Sequence, residues 1–330
     1  MKIFSLFFIV ATLLFTGCSS KKVYEPENVT NHWHKYGDTN QSIIDITSDL
    51  ALLENQKVLS KDGTIDVAID KSYRLLGSSD GWIISSNVEG NVTLQYIEDN
   101  STQENFTLKK TIAAASVKNN ILAVLFADNE MALYNISTKE LLIKVQGKAP
   151  IVVDSRIVSP YFMNDLVLFL TLDGKIVIVN STLKKKLRTI IVSSEDHFNN
   201  IIYFNVIDGK LIAATGHKIL SLAEKEIRVK YEIRTIVYDN KDIFITTKQG
   251  EVLSLTPDLQ VNAKTKFPFA HFIGAISTDD KLYLLEKEGY IIELSKDLLE
   301  YTVYEVDIDD GYIFVGDKTF YIDDEFISIK

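Results

Sequence analysis

Asn164-Asp165-Leu166-Val167-Leu168-Phe169-Leu170-Thr171-Leu172-Asp173-Gly174-Lys175-Ile176-Val177-Ile178-Val179-Asn180 is the stretch that decides the fold. Its two apolar runs are too short for helices, and their consecutive apolar residues describe strands buried on both faces. Asp173-Gly174 between them is a hairpin turn, because it supplies the positive φ angles that a tight reversal needs. The pattern returns in Asn240-Lys241-Asp242-Ile243-Phe244-Ile245-Thr246-Thr247-Lys248-Gln249-Gly250-Glu251-Val252-Leu253-Ser254-Leu255. A third copy is Asp279-Asp280-Lys281-Leu282-Tyr283-Leu284-Leu285-Glu286-Lys287-Glu288-Gly289-Tyr290-Ile291-Ile292-Glu293-Leu294. Weaker copies turn at Gly90, Asn129, Gly216 and Gly316, with a marginal one at Gln56.

The turns recur at intervals of 27 to 45 residues, around the ~40 of a four-stranded propeller blade. One such blade cannot bury both its faces, whereas a ring of blades can, leaving only short protected edges. A sandwich of this length would need two domains and a linker, and none is visible. A parallel β-helix would repeat at half the interval or less, and a membrane barrel would show longer, alternating strands. No convincing amphipathic helix interrupts the pattern. The reading is an all-β chain folded as a β-propeller of eight four-stranded blades, or of seven if the poor first copy and the short last one join.

Outside the repeats, the N-terminus has its own organisation. Lys2 precedes an apolar stretch, Ile3 to Phe15, that suits a signal peptide and is too short to span a bilayer. It ends in Leu14-Phe15-Thr16-Gly17-Cys18, which resembles the lipobox of bacterial lipoproteins. That resemblance implies cleavage before Cys18, diacylglycerol on its thiol and acylation of the freed amine, a multi-chain anchor of the firm kind. Ser19 rather than Asp after the cysteine implies sorting to the outer membrane. The expected organisation is therefore a signal peptide at 1–17, a lipidated N-terminus and polar tether at 18–41, and the propeller at 42–330.

Cys18 is the one cysteine, so the mature chain can form no internal disulfide and no Cys-ligated metal site. The net charge is −10, with no basic run longer than Lys184-Lys185-Lys186, which argues against nucleic acid as a partner.

The whole chain resembles the PQQ-like repeat propellers, and among them the BamB-like lipoproteins of the outer-membrane protein assembly machinery. Shared features are the lipobox, the short tether and the degenerate blades. Repeats of that group carry Leu-x-x-x-Thr-Gly-Lys-x-Leu-Trp; the nearest match here is Leu133-Tyr134-Asn135-Ile136-Ser137-Thr138-Lys139-Glu140-Leu141-Leu142. Thr138 stands where Gly is expected and Leu142 where Trp is. Ser181-Thr182-Leu183-Lys184 and Ser295-Lys296-Asp297-Leu298 depart further.

The search for chemistry gives little. A quinone-dependent dehydrogenase needs Ca²⁺ ligands and a stacking Trp, but only Trp33, in the tether, and Trp82 exist, and no acidic calcium loop is present. His32-Trp33-His34 has metal-like residues without a supporting acid or thiol, so a tether segment whose Trp33 packs on the propeller is the simpler reading. His217 beside Gly216 is a turn residue, and Glu195-Asp196-His197 a solvated loop. Asp62-Gly63, Asp173-Gly174, Asp208-Gly209 and Asp310-Gly311 are explained by hairpin geometry. No nucleophile elbow, Walker loop or dinucleotide-binding pattern appears. The expectation is no enzyme, no cofactor and no metal.

What remains is surface. The insert Val153 to Phe162, with Pro160-Tyr161-Phe162, and Phe267-Pro268-Phe269-Ala270-His271-Phe272 place aromatics at blade junctions. Tyr161, Phe162, Phe267 and Phe269 are the candidate partner contacts, with packing between blades as the alternative. Three functions follow: a protein-binding scaffold on the periplasmic side of the outer membrane, whose partner would be the barrel-assembly complex; a ligand-binding or enzymatic propeller using its central channel for a sugar, a peptidoglycan fragment or a metal; or a surface-exposed binder of host proteins.

Overall fold

The computed structural model describes residues 22–99 and 101–329. The expected signal peptide and the expected lipidation site, Cys18, lie outside the described residues. The described chain forms eight four-stranded antiparallel sheets. Seven are built from strands consecutive in sequence, spanning 43–68 (blade 1), 74–107 (blade 2), 112–146 (blade 3), 161–191 (blade 4), 203–230 (blade 5), 233–266 (blade 6) and 272–305 (blade 7). Blade 8 takes Ile313–Val315, Thr319–Ile322 and Glu325–Ser328 from one end of the chain and Tyr36–Asp38 from the other. The first strands of blades 6, 7, 8, 1, 2 and 3 approach one another in that order, and apolar wedges join blades 3 and 4, 4 and 5, and 5 and 6, so the sheets surround the axis of a closed propeller.

Layering explains why the sequence signal was strongest where it was. The second and third strands lie between neighbours on every side, and Leu166–Leu170 and Lys175–Asn180 of blade 4 are correspondingly rich in fully buried residues. Outer strands face water on one side and alternate, as in Glu226–Lys230. The core sits in wedges between blades: Ile212, Ala214 and Ile219 of blade 5 pack with Ile243, Ile245 and Leu253 of blade 6.

The turn between second and third strands carries a left-handed residue in seven blades, at Gln56, Gly90, Asn129, Gly174, Gly250 and Gly289 and, in blade 8, at Asp323. Gly250 has no alternative: a Cβ there would stand 2.0 Å from the Phe267 carbonyl oxygen. In blade 8 the corresponding reversal is at Asp323, between Thr319–Ile322 and Glu325–Ser328, and Gly316 belongs to the turn before it. The last interval read short because it ended one turn early. Blade 1 is a complete four-stranded sheet, so the count is eight.

Part of the 18–41 segment is built into the propeller. Thr30 N–H donates to the Val303 carbonyl at 2.9 Å, Glu305 N–H to that of Asn31 at 3.1 Å, and Trp33 N–H to that of Glu305 at 2.8 Å. Residues 30–33 therefore lie as a strap along the outer edge of blade 7. Trp33 is 4% exposed, wedged against Tyr304 with ring centroids 4.9 Å apart, and its indole N–H donates to the Ser328 carbonyl of blade 8 at 2.9 Å. Tyr36–Asp38 then pairs with Glu325–Ser328 and completes the ring.

Candidate functional site

Topology sorts the loops onto two faces. Connections between blades share the upper face with the turns between second and third strands; the other turns form the lower face. The connection from blade 3 to blade 4, residues 147–160, is exceptional because it enters the central channel. The first strand of blade 4, Tyr161–Met163, is short and pairs only with the lower half of its neighbour, Leu166–Leu170. Residues 153–160 occupy the space left above it.

The first strands explain what this plug binds. In blades 1, 2, 3, 6 and 7 each has a register shift at the same place, leaving Ile44, Leu76, Ala113, Arg234 and Ile273 as extra, unpaired residues. A bulge of this kind frees backbone groups from the ladder. The plug supplies partners for two of them: Ser159 Oγ donates to the Leu76 carbonyl of blade 2 at 3.3 Å, and Arg156 Nη1 to the Arg234 carbonyl of blade 6 at 2.5 Å. Ser116 Oγ of blade 3 donates to the Pro160 carbonyl at 2.6 Å.

Asn200, from the connection into blade 5, is fully buried and grips the plug by its backbone. Its Oδ1 accepts from Asp154 N–H at 2.6 Å, and its Nδ2 lies 2.7 Å from the Arg156 carbonyl and 3.2 Å from that of Asp154. Within the plug, Arg156 makes a two-pronged ion pair with Asp154, through Nε at 2.8 Å and through Nη2. Burial would raise the Asp154 carboxyl, but the Arg156 hydrogen bonds and charge outweigh it and hold it below the usual carboxylate range.

Arg234 has the opposite balance. Burial and the neighbouring Arg156 charge lower its pKa against the attraction of Asp154, and its Nε is buried without a hydrogen-bond partner.

Below the plug, the lower mouth is a pocket of about 390 Å³ lined among others by Asp49, Ser78, Asp80, Ser116, Lys118 and Tyr161. Its carboxylates are already engaged. Asp49 accepts from Ser78 N–H and Oγ, each at 3.1 Å, and Asp80 from Asn119 N–H at 2.6 Å.

The four aromatic candidates do not form one site. Tyr161 and Phe162 line the lower mouth; the Tyr161 ring, 39% exposed, leans on Phe204 at 5.1 Å, and Phe162 packs into the wedge between blades 3 and 4. Phe267 is buried at 3% exposure, with Tyr24 edge-on at 6.0 Å and Tyr301 at 5.0 Å. Phe269 is exposed on the upper face with Lys22 over its ring.

The remaining sequence candidates are spread out as well. Glu195 and Asp196 make long exposed ion pairs with Lys218 and Lys148, at 3.5 and 3.7 Å. A His217 ring nitrogen lies 3.1 Å from the His197 carbonyl, and His32 faces Glu305. Among the described residues no group of three His, Cys, Asp or Glu is arranged to hold a metal.

The upper face also carries an apolar pair that sequence reading missed. Ile151 is 69% exposed and Phe198 50%, and Phe198 N–H donates to the Val152 carbonyl at 3.1 Å, tying the two loops together. Phe198 holds φ 50°, a strained value for an aromatic residue. Nothing in Glu195-Asp196-His197-Phe198-Asn199-Asn200 or Pro150-Ile151-Val152 signals this meeting, because it depends on the plug turning inward.

No family model matches the chain. Two curated relatives, both the plasminogen-binding protein PgbB, from Helicobacter pylori strains J99 and 26695, are 28% identical over 91% of it. The chain spans 64% of their length. Among solved structures, BamB from Moraxella catarrhalis superposes with a TM-score of 0.68 at 11% identity, covering 89% of this chain and 98% of that one. The C-terminal WD40 domain of Sif2 superposes with a TM-score of 0.65 at 12% identity, covering 92% and 100%. At such identities these two likenesses establish the propeller fold and nothing further.

Proposed function

We propose that this chain is a non-catalytic, protein-binding scaffold of the PQQ-like repeat type, held at the outer membrane by lipid on Cys18 and facing the periplasm. The observation that carries the reading is the exposed Ile151–Phe198 pair on upper-face loops tied together by a backbone hydrogen bond, beside a channel partly occupied by the chain's own residues 153–160. An exposed aromatic held at a strained backbone, with an exposed aliphatic on the loop bonded to it, is poised to anchor a partner interface. Phe269 extends that apolar character along the same face. The resemblance of the lipobox, tether and degenerate blades to the BamB-like lipoproteins is what suggests the barrel-assembly complex as the partner. The plasminogen-binding name of the 28% identical relatives supports a second reading, a host-protein binder displayed at the cell surface.

One experiment separates them: crosslinked pull-down of the tagged lipoprotein from outer membranes with mass spectrometry, beside protease shaving of intact cells. Barrel-assembly subunits recovered with wild type, lost with Phe198→Asp, and a shaving-resistant bait are the expected result. A shaved bait that retains plasminogen through Phe198 replaces the first reading by the second. A bait recovered alone in both assays overturns the scaffold.

A further inference from the structure

The channel holds a feature that protein binding at the upper face does not use. Arg234 is the one charged residue among the five bulge positions, where the others are Ile44, Leu76, Ala113 and Ile273. A bulge re-aims its extra residue out of the strand's alternation. Among the described residues the Arg234 side chain makes no hydrogen bond or ion pair, and its buried Nε–H is left over. Next to it, the Asp154 carboxylate is spent: both its oxygens accept from the Arg156 guanidinium. Lys248 adds a further positive charge felt by Asp154. Two arginines and a lysine around one committed carboxylate leave net positive charge inside a chain of net charge −10. The Arg156 side chain is 39% exposed and Arg234 is itself half-buried, so solutes reach this part of the channel.

A desolvated guanidinium with an unmade hydrogen bond is costly, and its planar fork of donors matches the paired oxygens of a carboxylate or phosphate. We infer that the channel beside the plug is an oxyanion-binding site in which Arg234 is the primary ligand, taking a carboxylate or phosphate group. Asp154 fixes Arg156 by its two-pronged pair, and Arg156 in turn holds the Arg234 carbonyl. The backbone that presents Arg234 is thereby braced before the anion arrives.

The test is thermal unfolding of the full mature chain titrated with inorganic phosphate, with acetate, and with sodium chloride at matched ionic strength. Wild type is expected to gain about 2 °C or more, saturably, with phosphate or acetate over chloride. Whichever of the two saturates at lower concentration identifies the oxyanion class. Arg234→Met, which keeps length and removes charge, is expected to abolish the gain and to melt higher than wild type in chloride. Arg234→Lys, which keeps charge without the fork, is expected to weaken the response at least tenfold in concentration. Equal responses in wild type and Arg234→Met, or no saturable response in wild type, overturn the site. Should Arg234→Met fail to fold, line broadening of the phosphate ³¹P signal by wild type against Arg234→Lys gives the same decision.

Discussion

At the scale of single residues, the blades are joined by buried polar hubs as well as by apolar wedges. Asn129 and Asp173 form one. Asn129 Nδ2 donates to Asp173 Oδ1 at 2.9 Å and to the Lys148 carbonyl at 2.8 Å, and its Oδ1 accepts from Leu172 N–H at 3.0 Å. Burial raises the Asp173 carboxyl, but hydrogen bonds from Lys175, Thr171 and Asn129 outweigh it, so its pKa lies below the ordinary 3.8. A carboxylate depressed in the folded state stabilises the protein above its unfolded pKa and loses that contribution as pH falls through the folded value. Stability is therefore expected to fall below about pH 4, and Asp173→Asn to flatten that limb while costing about 1–3 kcal/mol at pH 7. Urea midpoints measured from pH 2 to 7 check this; an unchanged acid limb in the variant would remove Asp173 from the account. Glu286 runs the other way. Burial pushes its pKa up although it accepts from His271 and Glu288 N–H groups. Its contribution is fullest in acid and declines as pH rises through the raised value, so the two carboxylates partly offset each other.

Elements show how a short strap does the work of a strand. Tyr36–Asp38 has three residue pairs with blade 8, too few to hold alone, and gains its footing from Trp33 and the hydrogen bonds of residues 30–33 to blade 7. Trp33→Ala is expected to cost about 3–5 kcal/mol. Gly37→Pro, which breaks the pairing and brings a ring toward Phe326, is expected to cost about 3 kcal/mol. Because both act on one strap, their double variant should lose clearly less than the sum; strict additivity in denaturant unfolding would mean that the two ends of the strap act independently.

Legibility follows the same division. The 164–180, 240–255 and 279–294 repeats are second and third strands with their turn, apolar at consecutive positions because neighbours cover both faces. Outer strands such as Gln103–Thr107 and inner ones such as Tyr161–Met163 carry no comparable pattern. Trp33 was readable as a packing residue, while Tyr36-Gly37-Asp38 looked like tether because a three-residue strand has no period to show. Arg156, Asn200 and Arg234 were unreadable, since their meeting depends on a loop turning into the channel.

The whole molecule is a ring braced across its centre. Through residues 154–160 the plug is bonded to blades 2, 3 and 6 and to the connection into blade 5, so positions far apart around the ring share one support. Asn200→Ala removes three hydrogen bonds to plug backbone and is expected to cost about 2–4 kcal/mol. The informative readout is hydrogen exchange in Arg74–Ser79 and Ile233–Tyr238, strands of different blades that Asn200 does not itself bond. Faster exchange in both is expected; protection unchanged in both would show that the plug fills space without bracing the ring.

Closure of the ring also has a bearing on time. Among the described strands Tyr36–Asp38 is the earliest in the chain, and its sheet partner Glu325–Ser328 is the latest. Until Glu325–Ser328 has been made, Tyr36–Asp38 has nothing to pair with, Trp33 has no crevice to fill, and the seam between blades 8 and 1 stands open. The ring then closes across the widest sequence separation among the described strands, the kind of long-range step that folds slowly. That edge stays unpaired until Glu325–Ser328 arrives, and the fold itself offers it no other cover in the sheet.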